Sequence, residues 1–543
     1  MSATVYEAFS QSAQQWKDHS FLHIVPETAR IYQIEAGEYT YAQVLAQIEV
    51  LKTGYEAAGY GHGHRAGLLL ENRPSFFLHW FALNALGVSV VPINADLRSA
   101  ELEYLIHHSE ISIAIALPSH HAVLQAAASA VNSPLVIIGP DDTPARAATP
   151  APLAGNPIGT ATECALLYTS GTTGRPKGCI LSNEYFLHAG NWYANIGGLA
   201  TLRPGVERML TPLPLVHMNA MACSTMSMII TGGCLIPLDR FHPRSWWATV
   251  RESHATVVHY LGVMPAILIK AEPSEQDSQH QVRFGFGAGI DGSLHAPFEQ
   301  RFGFPLLEAW AMTETGSGAV IIANHEPRFI GTSCFGKEGT DVLVKLVDDG
   351  GKDAKTNEPG ELLVKHAGPD PHFGFFSGYL KDATATQEAW EGGWFHTGDI
   401  VKRNEQGYLH FIDRKKNVIR RSGENISAVE VESVLQQHPA VKSVAVAAVP
   451  DAVRGDEVLA CIVCATPPDI SAMPALARDI VNWGLSRLAY YKVPGYVAFV
   501  DTLPLTATNK IQRGQLKAMA PTLIGTPTCI DTCSMKARQD ISS

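Results

Sequence analysis

The feature that most constrains this chain is a repeated alternation of short apolar runs with helical segments. Arg65–Glu71 (RAGLLLE) reads as a buried strand, Ser75–Gly87 as a helix, Val88–Pro92 as the next strand and Ser99–Ser109 as another helix. Ile111–Ala116 and Leu135–Gly139 add two more strand-like runs. The rhythm returns at Leu235–Leu238, with a helix around Ser245–Ser253, and then at Val257–Leu261 and Phe284–Phe286. Such β-α-β order predicts mostly parallel sheets covered by helices, an α/β fold.

The flanking regions read differently. Val5, Ala8, Phe9 and Trp16 fall at helical spacing and predict an N-terminal amphipathic helix. A Gly- and Asp-rich tract at 348–360 predicts a hairpin turn between Leu343–Val347 and Gly360–Val364. Beyond about Lys415 come helices at Ala428–Gln437 and Ala475–Arg487 and strands at Ser443–Val449, Leu459–Cys464 and Tyr496–Val500. At 543 residues the chain exceeds one hydrophobic core. The boundary is placed at Asp413–Lys416: an N-terminal domain 1–413, a hinge 414–416 and a smaller α+β C-terminal domain 417–543.

Composition narrows the function classes. With 46% hydrophobic and 17% charged residues the chain is globular rather than disordered. A formal charge of −11 argues against nucleic acid or anionic membrane as partner, so an anionic substrate must be held by local charges. The nine cysteines have no framework spacing. Cys529 and Cys533 lack a second pair that would complete a zinc site, and reduced thiols in a cytoplasmic protein are the simpler expectation. The N-terminus lacks the pattern of a signal peptide, and no apolar run is long enough to span a membrane. Oligomeric state is left open, a homodimer included.

After a Pro-, Ala-, Asp- and Thr-rich connection at Pro140–Thr162 comes Leu166–Lys177, LLYTSGTTGRPK. Gly171 and Gly174 allow positive φ and close backbone approach. Thr169, Ser170, Thr172 and Thr173 crowd hydroxyls and N–H groups where phosphate oxygens need donors, and Lys177 adds a charge. A P-loop needs G-x-x-x-x-G-K-[ST], whereas Gly174 is followed by Arg175-Pro176 and Lys177 by Gly178. The stretch instead resembles the phosphate-binding signature of the adenylate-forming superfamily, which includes acyl-CoA synthetases, peptide-synthetase adenylation domains and firefly-type luciferases.

Further motifs carry the same resemblance in order along the chain. In LTPLPLVHMNAM, Pro212 and Pro214 precede a helix starting near His217, and the resemblance implies that His217 and Asn219 line the acid pocket. FGAGI offers bare backbone to a ring or carboxylate at Gly287, Ala288 and Gly289, while Asp291 stands where the family commonly has an apolar residue or proline. WAMTETG is similar to the family's Tyr-Gly-Met-Thr-Glu, with Trp310 and Ala311 replacing Tyr and Gly. By that resemblance Trp310 stacks on adenine, Ala311 narrows the acid pocket, Thr313 donates to the α-phosphate and Glu314 holds Mg²⁺.

WFHTGD and YLHFIDR imply that Asp399 and Arg414 hold the ribose. In RKKNVIRRSGENIS, Lys416 falls at the hinge, and Arg420 and Gly423 lie in the segment that faces the site during thioester formation. The basic run from Arg414 to Arg421 otherwise reads as a solvated patch or a grip on the CoA phosphates. LPLTATNKIQR places Lys510 at the catalytic lysine, with Asn509 where a glycine is usual. The texture is closest to the crotonobetaine/carnitine-CoA ligase subgroup, through RFHPRSWWATVRESHATVV and RRSGENISAVEVE. The expectation is an AMP-forming acid–CoA ligase using ATP, Mg²⁺ and coenzyme A on a small or medium carboxylic acid, polar or betaine-like. The alternatives are a free-standing adenylation enzyme that loads a carrier protein, since only 33 residues follow Lys510, and a luciferase-like oxygenase.

Overall fold

A computed structural model of the chain describes all residues except 1, 98, 170–175, 349, 422–423, 452–454, 489, 506–510 and 537–543, with backbone alone at 416, 418, 420, 424–425 and 455. Two of its sheets have the expected character. In the eight-stranded sheet six neighbours run parallel: Leu306–Trp310, Phe284–Ala288, Val257–Leu261, Arg208–Thr211, Cys234–Pro237 and Ser20–Ile24. The seven-stranded sheet has a parallel centre of Glu163–Thr169, Ser89–Pro92, Arg65–Leu69, Ile113–Ala116 and Val136–Ile138. Crossover helices such as Pro74–Ala85 and Ser99–Ser109 are apolar where they meet the strands. Phe77, Trp80 and Phe81 are fully buried between them.

A third sheet departs from the parallel expectation. Its five strands, including Val342–Val347, Pro359–His366, Phe395–Arg403 and Leu409–Arg414, are all antiparallel. No crossover helix separates Val342–Val347 from Pro359–His366, only the predicted turn, and a short turn joins antiparallel neighbours. Within Phe395–Arg403 buried and half-buried positions alternate, which turns Asp399 inward.

Beyond residue 417 a mixed sheet of Val418–Arg421, Glu424–Ser427, Val441–Asp451, Gly455–Cys464, Tyr496–Phe499 and Cys529–Asp531 packs against the helices Ala428–Gln436, Met473–Leu485 and Arg513–Leu523. The buried apolar clusters divide along the chain, those up to Leu409 packing among themselves and those from Ile419 onward forming their own. Between them the buried Asp413 carboxylate accepts from Ser427 Oγ at 3.1 Å and Val429 N at 3.3 Å, tying the end of the third sheet to the first turn of Ala428–Gln436. No helix among the described residues is long and apolar enough to cross a membrane.

Candidate active site

Four neighbouring parallel strands end on one edge, where open α/β sheets bind ligands, and three of them deliver expected site residues there. Arg208–Thr211 leads to His217 and Asn219, Val257–Leu261 to Gly262, Phe284–Ala288 to Gly289, and Leu306–Trp310 to Ala311, Thr313 and Glu314. His217, Ala288, Gly289 and Ala311 are exposed at this edge, Asn219 and Thr313 are half-buried, and Gly287 is buried.

The helix expected near His217 opens as a π-helix, Asn219–Ser224, before the α-helix Thr225–Thr231. Ser224 Oγ donates to the carbonyl of Asn219 at 3.1 Å and Thr225 Oγ1 to that of Ala220 at 2.8 Å. These hydroxyls bond to carbonyls of the wider turn, and the Ala220 carbonyl also accepts from Thr225 N.

A buried carboxylate shapes the small-residue loop. Glu308 accepts from Tyr260 Oη at 2.7 Å, Gly289 N at 2.9 Å and Ile290 N at 3.3 Å. Burial raises its pKa, and these three donors oppose the shift. The strand Phe284–Ala288 runs two residues past its expected end. Gly262 abuts this loop so closely that a Cβ there would overlap the carbonyl of Gly289. Gly262→Ala is expected to cost about 1–3 kcal/mol of stability through overpacking. It should also weaken acid use, read as thermal unfolding and kcat/KM; unchanged values for both would exclude this packing role.

The surroundings of Glu314 are assembled by a residue that the sequence did not single out. Thr169 and Lys177 pair across the two strands that flank 170–175. Tyr379, on the neighbouring strand Gly378–Tyr379, donates to Glu314 Oε1 at 3.0 Å, and Thr169 Oγ1 donates to the same oxygen at 3.4 Å. Lys177 Nζ stands 4.6 Å from the Tyr379 ring centroid and 4.0 Å from Asp382 Oδ2. Burial and then the Glu314 carboxylate raise the Tyr379 hydroxyl pKa, keeping it a donor. A lone Tyr in FFSGYLKD has no spacing signal; only strand pairing brings it to Glu314. Glu314 and Thr313 sit in a run of turns rather than a helix. Tyr185 Oη fixes that run by donating to the Thr313 carbonyl at 2.9 Å.

Asp399 is 1% exposed and Trp310 6%. The Trp310 indole N–H donates to Asp399 Oδ2 at 2.8 Å, and Arg414 Nε lies 2.6 Å from Oδ1. Asp399 and Arg414 face each other across paired strands. Burial pushes the Asp399 pKa up, and Arg414 and then the Trp310 hydrogen bond pull it back. Within the basic run, Arg414, Lys415 and Arg421 are each paired with a carboxylate, Lys415 Nζ with Glu361 at 2.7 Å and Arg421 Nε with Glu457 at 2.7 Å. Of the three, only Arg421 is buried in its pair; the Arg414 and Lys415 side chains stay 41% and 44% exposed beside their carboxylates.

Asp291 caps the helix Gly292–Phe302 through Ser293 N at 2.8 Å and accepts from Ser433 Oγ, on the C-terminal helix Ala428–Gln436, at 2.6 Å. Lys416 lies in a 3₁₀ turn, Lys415–Asn417, and Arg420 on the strand Val418–Arg421, both with backbone alone described. Ser170, Gly171, Thr172, Thr173, Gly174, Gly423 and Lys510 lie outside the described residues. The nine cysteines carry free thiols, and no metal-binding cluster of His, Cys, Asp and Glu occurs among the described residues.

The AMP-binding enzyme family matches residues 9–380, and the AMP-binding enzyme C-terminal domain matches residues 430–510. Crotonobetaine/carnitine–CoA ligases of Salmonella paratyphi A and Escherichia coli O45:K1 are each 28% identical, over 93% of this chain and 98% of theirs. Among solved structures, the o-succinylbenzoate CoA synthetase of Bacillus subtilis, in complex with its acyl-adenylate intermediate, is 25% identical with a TM-score of 0.79, over 94% of this chain and 97% of that one. ATP-bound MatB of Rhodopseudomonas palustris shares the fold at a TM-score of 0.77 and 24% identity, over 95% and 99% of the two chains. The chain therefore belongs to the AMP-binding enzyme family, in its adenylate-forming acyl-CoA synthetase class.

Proposed function

We propose that the chain joins a small or medium, polar carboxylic acid to coenzyme A in two steps: acid and ATP give acyl-adenylate and pyrophosphate, and the CoA thiol then displaces AMP. The observation that carries this reading is the convergence of Glu314, Thr169 and Lys177 beside the 170–175 segment, with Asp399 and Arg414 at the end of the next strand group. A carboxylate buried among hydroxyl donors is a ligand type suited to Mg²⁺, which would neutralise phosphate charge there. Burial raises the Asp399 pKa while the Arg414 guanidinium and the Trp310 indole N–H favour the carboxylate, and in that form its two oxygens would accept from the two ribose hydroxyls. The acyl-adenylate already carries a good leaving group, so no covalent enzyme intermediate is required.

The two steps need different groups at one centre, and rotation of the C-terminal domain about Lys416 would exchange Lys510 for the Arg420–Gly423 segment. Asn219 favours a polar acid, in keeping with relatives that carry the crotonobetaine/carnitine name.

Pyrophosphate release should be measured over a panel of acids, from short aliphatic and betaine-like through dicarboxylic to aromatic, each with and without CoA. Multi-turnover release only with CoA is the expected result, and the best acid names the class. Release indifferent to CoA for every acid would point instead to a carrier-protein acceptor or an oxygenase. Ala311→Gly should change which acids are used more than it changes the ATP requirement; unaltered selectivity would remove Ala311 from the pocket.

A further inference from the structure

Beside the acid pocket lies a fully buried histidine that no motif pointed to. His259, on the strand Val257–Leu261, has Nδ1 at 2.7 Å from Asn219 Oδ1 and 2.9 Å from Ser224 Oγ, and Nε2 at 3.1 Å from Tyr193 Oη. Tyr193 is fully buried, and His259 Nε2 is the side-chain partner recorded for its hydroxyl. A buried hydroxyl hydrogen without an acceptor is costly, so Tyr193 donates and Nε2 is the bare nitrogen. Burial also lowers the imidazole pKa to about 3, so the ring is neutral and its single proton sits on Nδ1. Ser224 spends its hydrogen on the Asn219 carbonyl and accepts at Nδ1, which leaves Nδ1–H to Asn219 Oδ1 as well.

The consequence falls on Asn219. Its amide oxygen is held by His259, so its amide nitrogen is turned the other way, and that nitrogen has no recorded partner among the described residues. We propose that His259 is a positioning residue that fixes Asn219 as a hydrogen-bond donor to the acid, selecting acids with an uncharged or anionic oxygen acceptor (hydroxyl, carbonyl or second carboxylate) on the acyl chain. This rests on the acid–CoA ligase reading and adds the polarity of one pocket wall. Phe286, buried and stacked on the imidazole at 4.9 Å, helps to hold the His259 ring in place.

The test compares kcat/KM for matched acids that differ only by an oxygen acceptor or a methylene at the same carbon. The wild-type enzyme should prefer the acceptor-bearing member by about 10- to 100-fold. Asn219→Asp keeps an oxygen for His259 but offers a second oxygen to the acid, and should abolish or invert the preference for pairs whose acceptor is a carbonyl or carboxylate, the pairs on which this variant is read, since a hydroxyl could donate to the new carboxylate. His259→Phe releases the amide and should shrink the ratio; a purely structural loss would slow both acids equally and leave the ratio unchanged. No wild-type preference, or a preference for the carbonyl or carboxylate member that survives in Asn219→Asp, would overturn the proposal while CoA-dependent turnover continued. If no acid supported CoA-dependent turnover, the ligase reading itself would fall, and this proposal with it.

Discussion

Lys510→Ala is expected to slow acyl-adenylate formation by about 10²- to 10³-fold, yet leave thioester formation from supplied acyl-adenylate largely intact. As the acid carboxylate attacks the α-phosphate, negative charge grows on the pentavalent centre and on departing pyrophosphate. A lysine ammonium is a compact point charge that stabilises both without reorganising. In the second step the leaving group is AMP and the nucleophile is a thiol, so a cation at the same place has little left to stabilise. Lys510 lies outside the described residues, but its flanks are anchored. Leu505 bridges Ile511, Gln512 N donates to Pro504 O at 2.8 Å, and Arg513 makes two 2.6 Å bonds to Glu432. A methyl group in place of the lysine therefore removes the charge without loosening its supports. The half-reactions separate cleanly, the first by pyrophosphate release and the second by thiol consumption with acyl-adenylate added. Equal losses in both would show that Lys510 does not belong to one conformation alone.

How much of this was legible in the sequence follows from how local each signal is. The strands Arg65–Leu69 and Val257–Leu261 were read nearly to their ends because an apolar run bounded by turn residues is itself the determinant of a buried strand. Thr313, Glu314, Asp399 and Arg414 were nameable because each sits in a contiguous motif. What holds them was not. Tyr379 reaches Glu314 across 65 residues, His259 reaches Asn219 across 40, and Ser433 reaches Asp291 across 142. No periodicity couples positions that far apart; strand pairing and domain contact do. Of the all-antiparallel third sheet, the hairpin Val342–Val347 with Pro359–His366 was legible from its Gly- and Asp-rich turn, and the remaining strands were not. Its buried alternation in Phe395–Arg403 places Thr397 and Asp399 inward, and polar residues at inward positions blur an alternating apolar pattern. The helix Arg513–Leu523 was hidden by Pro521 within it, and the paired strands Val418–Arg421 and Glu424–Ser427 by their charged residues.

Glu457→Ala is expected to destabilise the C-terminal region by about 3–5 kcal/mol, because it strands two buried cations. The Glu457 side chain is fully buried between Arg421 Nε, 2.7 Å from Oε2, and Lys536 Nζ on Oε1; Val458 N also donates to Oε1 at 2.8 Å. The side chains of Arg421 and Lys536 are 5% and 0% exposed, so neither escapes to water when the carboxylate is removed. Two cations on one carboxylate leave a net positive charge inside, and burial accordingly lowers the Lys536 pKa from 10.5 to about 8. With the folded pKa below the unfolded one, the unfolded chain binds more protons between pH 8 and 10.5. Stability should therefore rise with pH across that window. Lys536→Met should behave oppositely to Glu457→Ala, leaving a neutral Arg421–Glu457 pair, little or no loss of stability and no rise above pH 8. Hydrogen exchange over Gly455–Cys464 in the full chain reads both variants locally. A loss below about 1 kcal/mol for Glu457→Ala would mean that water reaches the two cations. Arg421 ends the strand that leads into 422–423, so the triad also ties C-terminal packing to the segment proposed to turn toward the site for the thioester step.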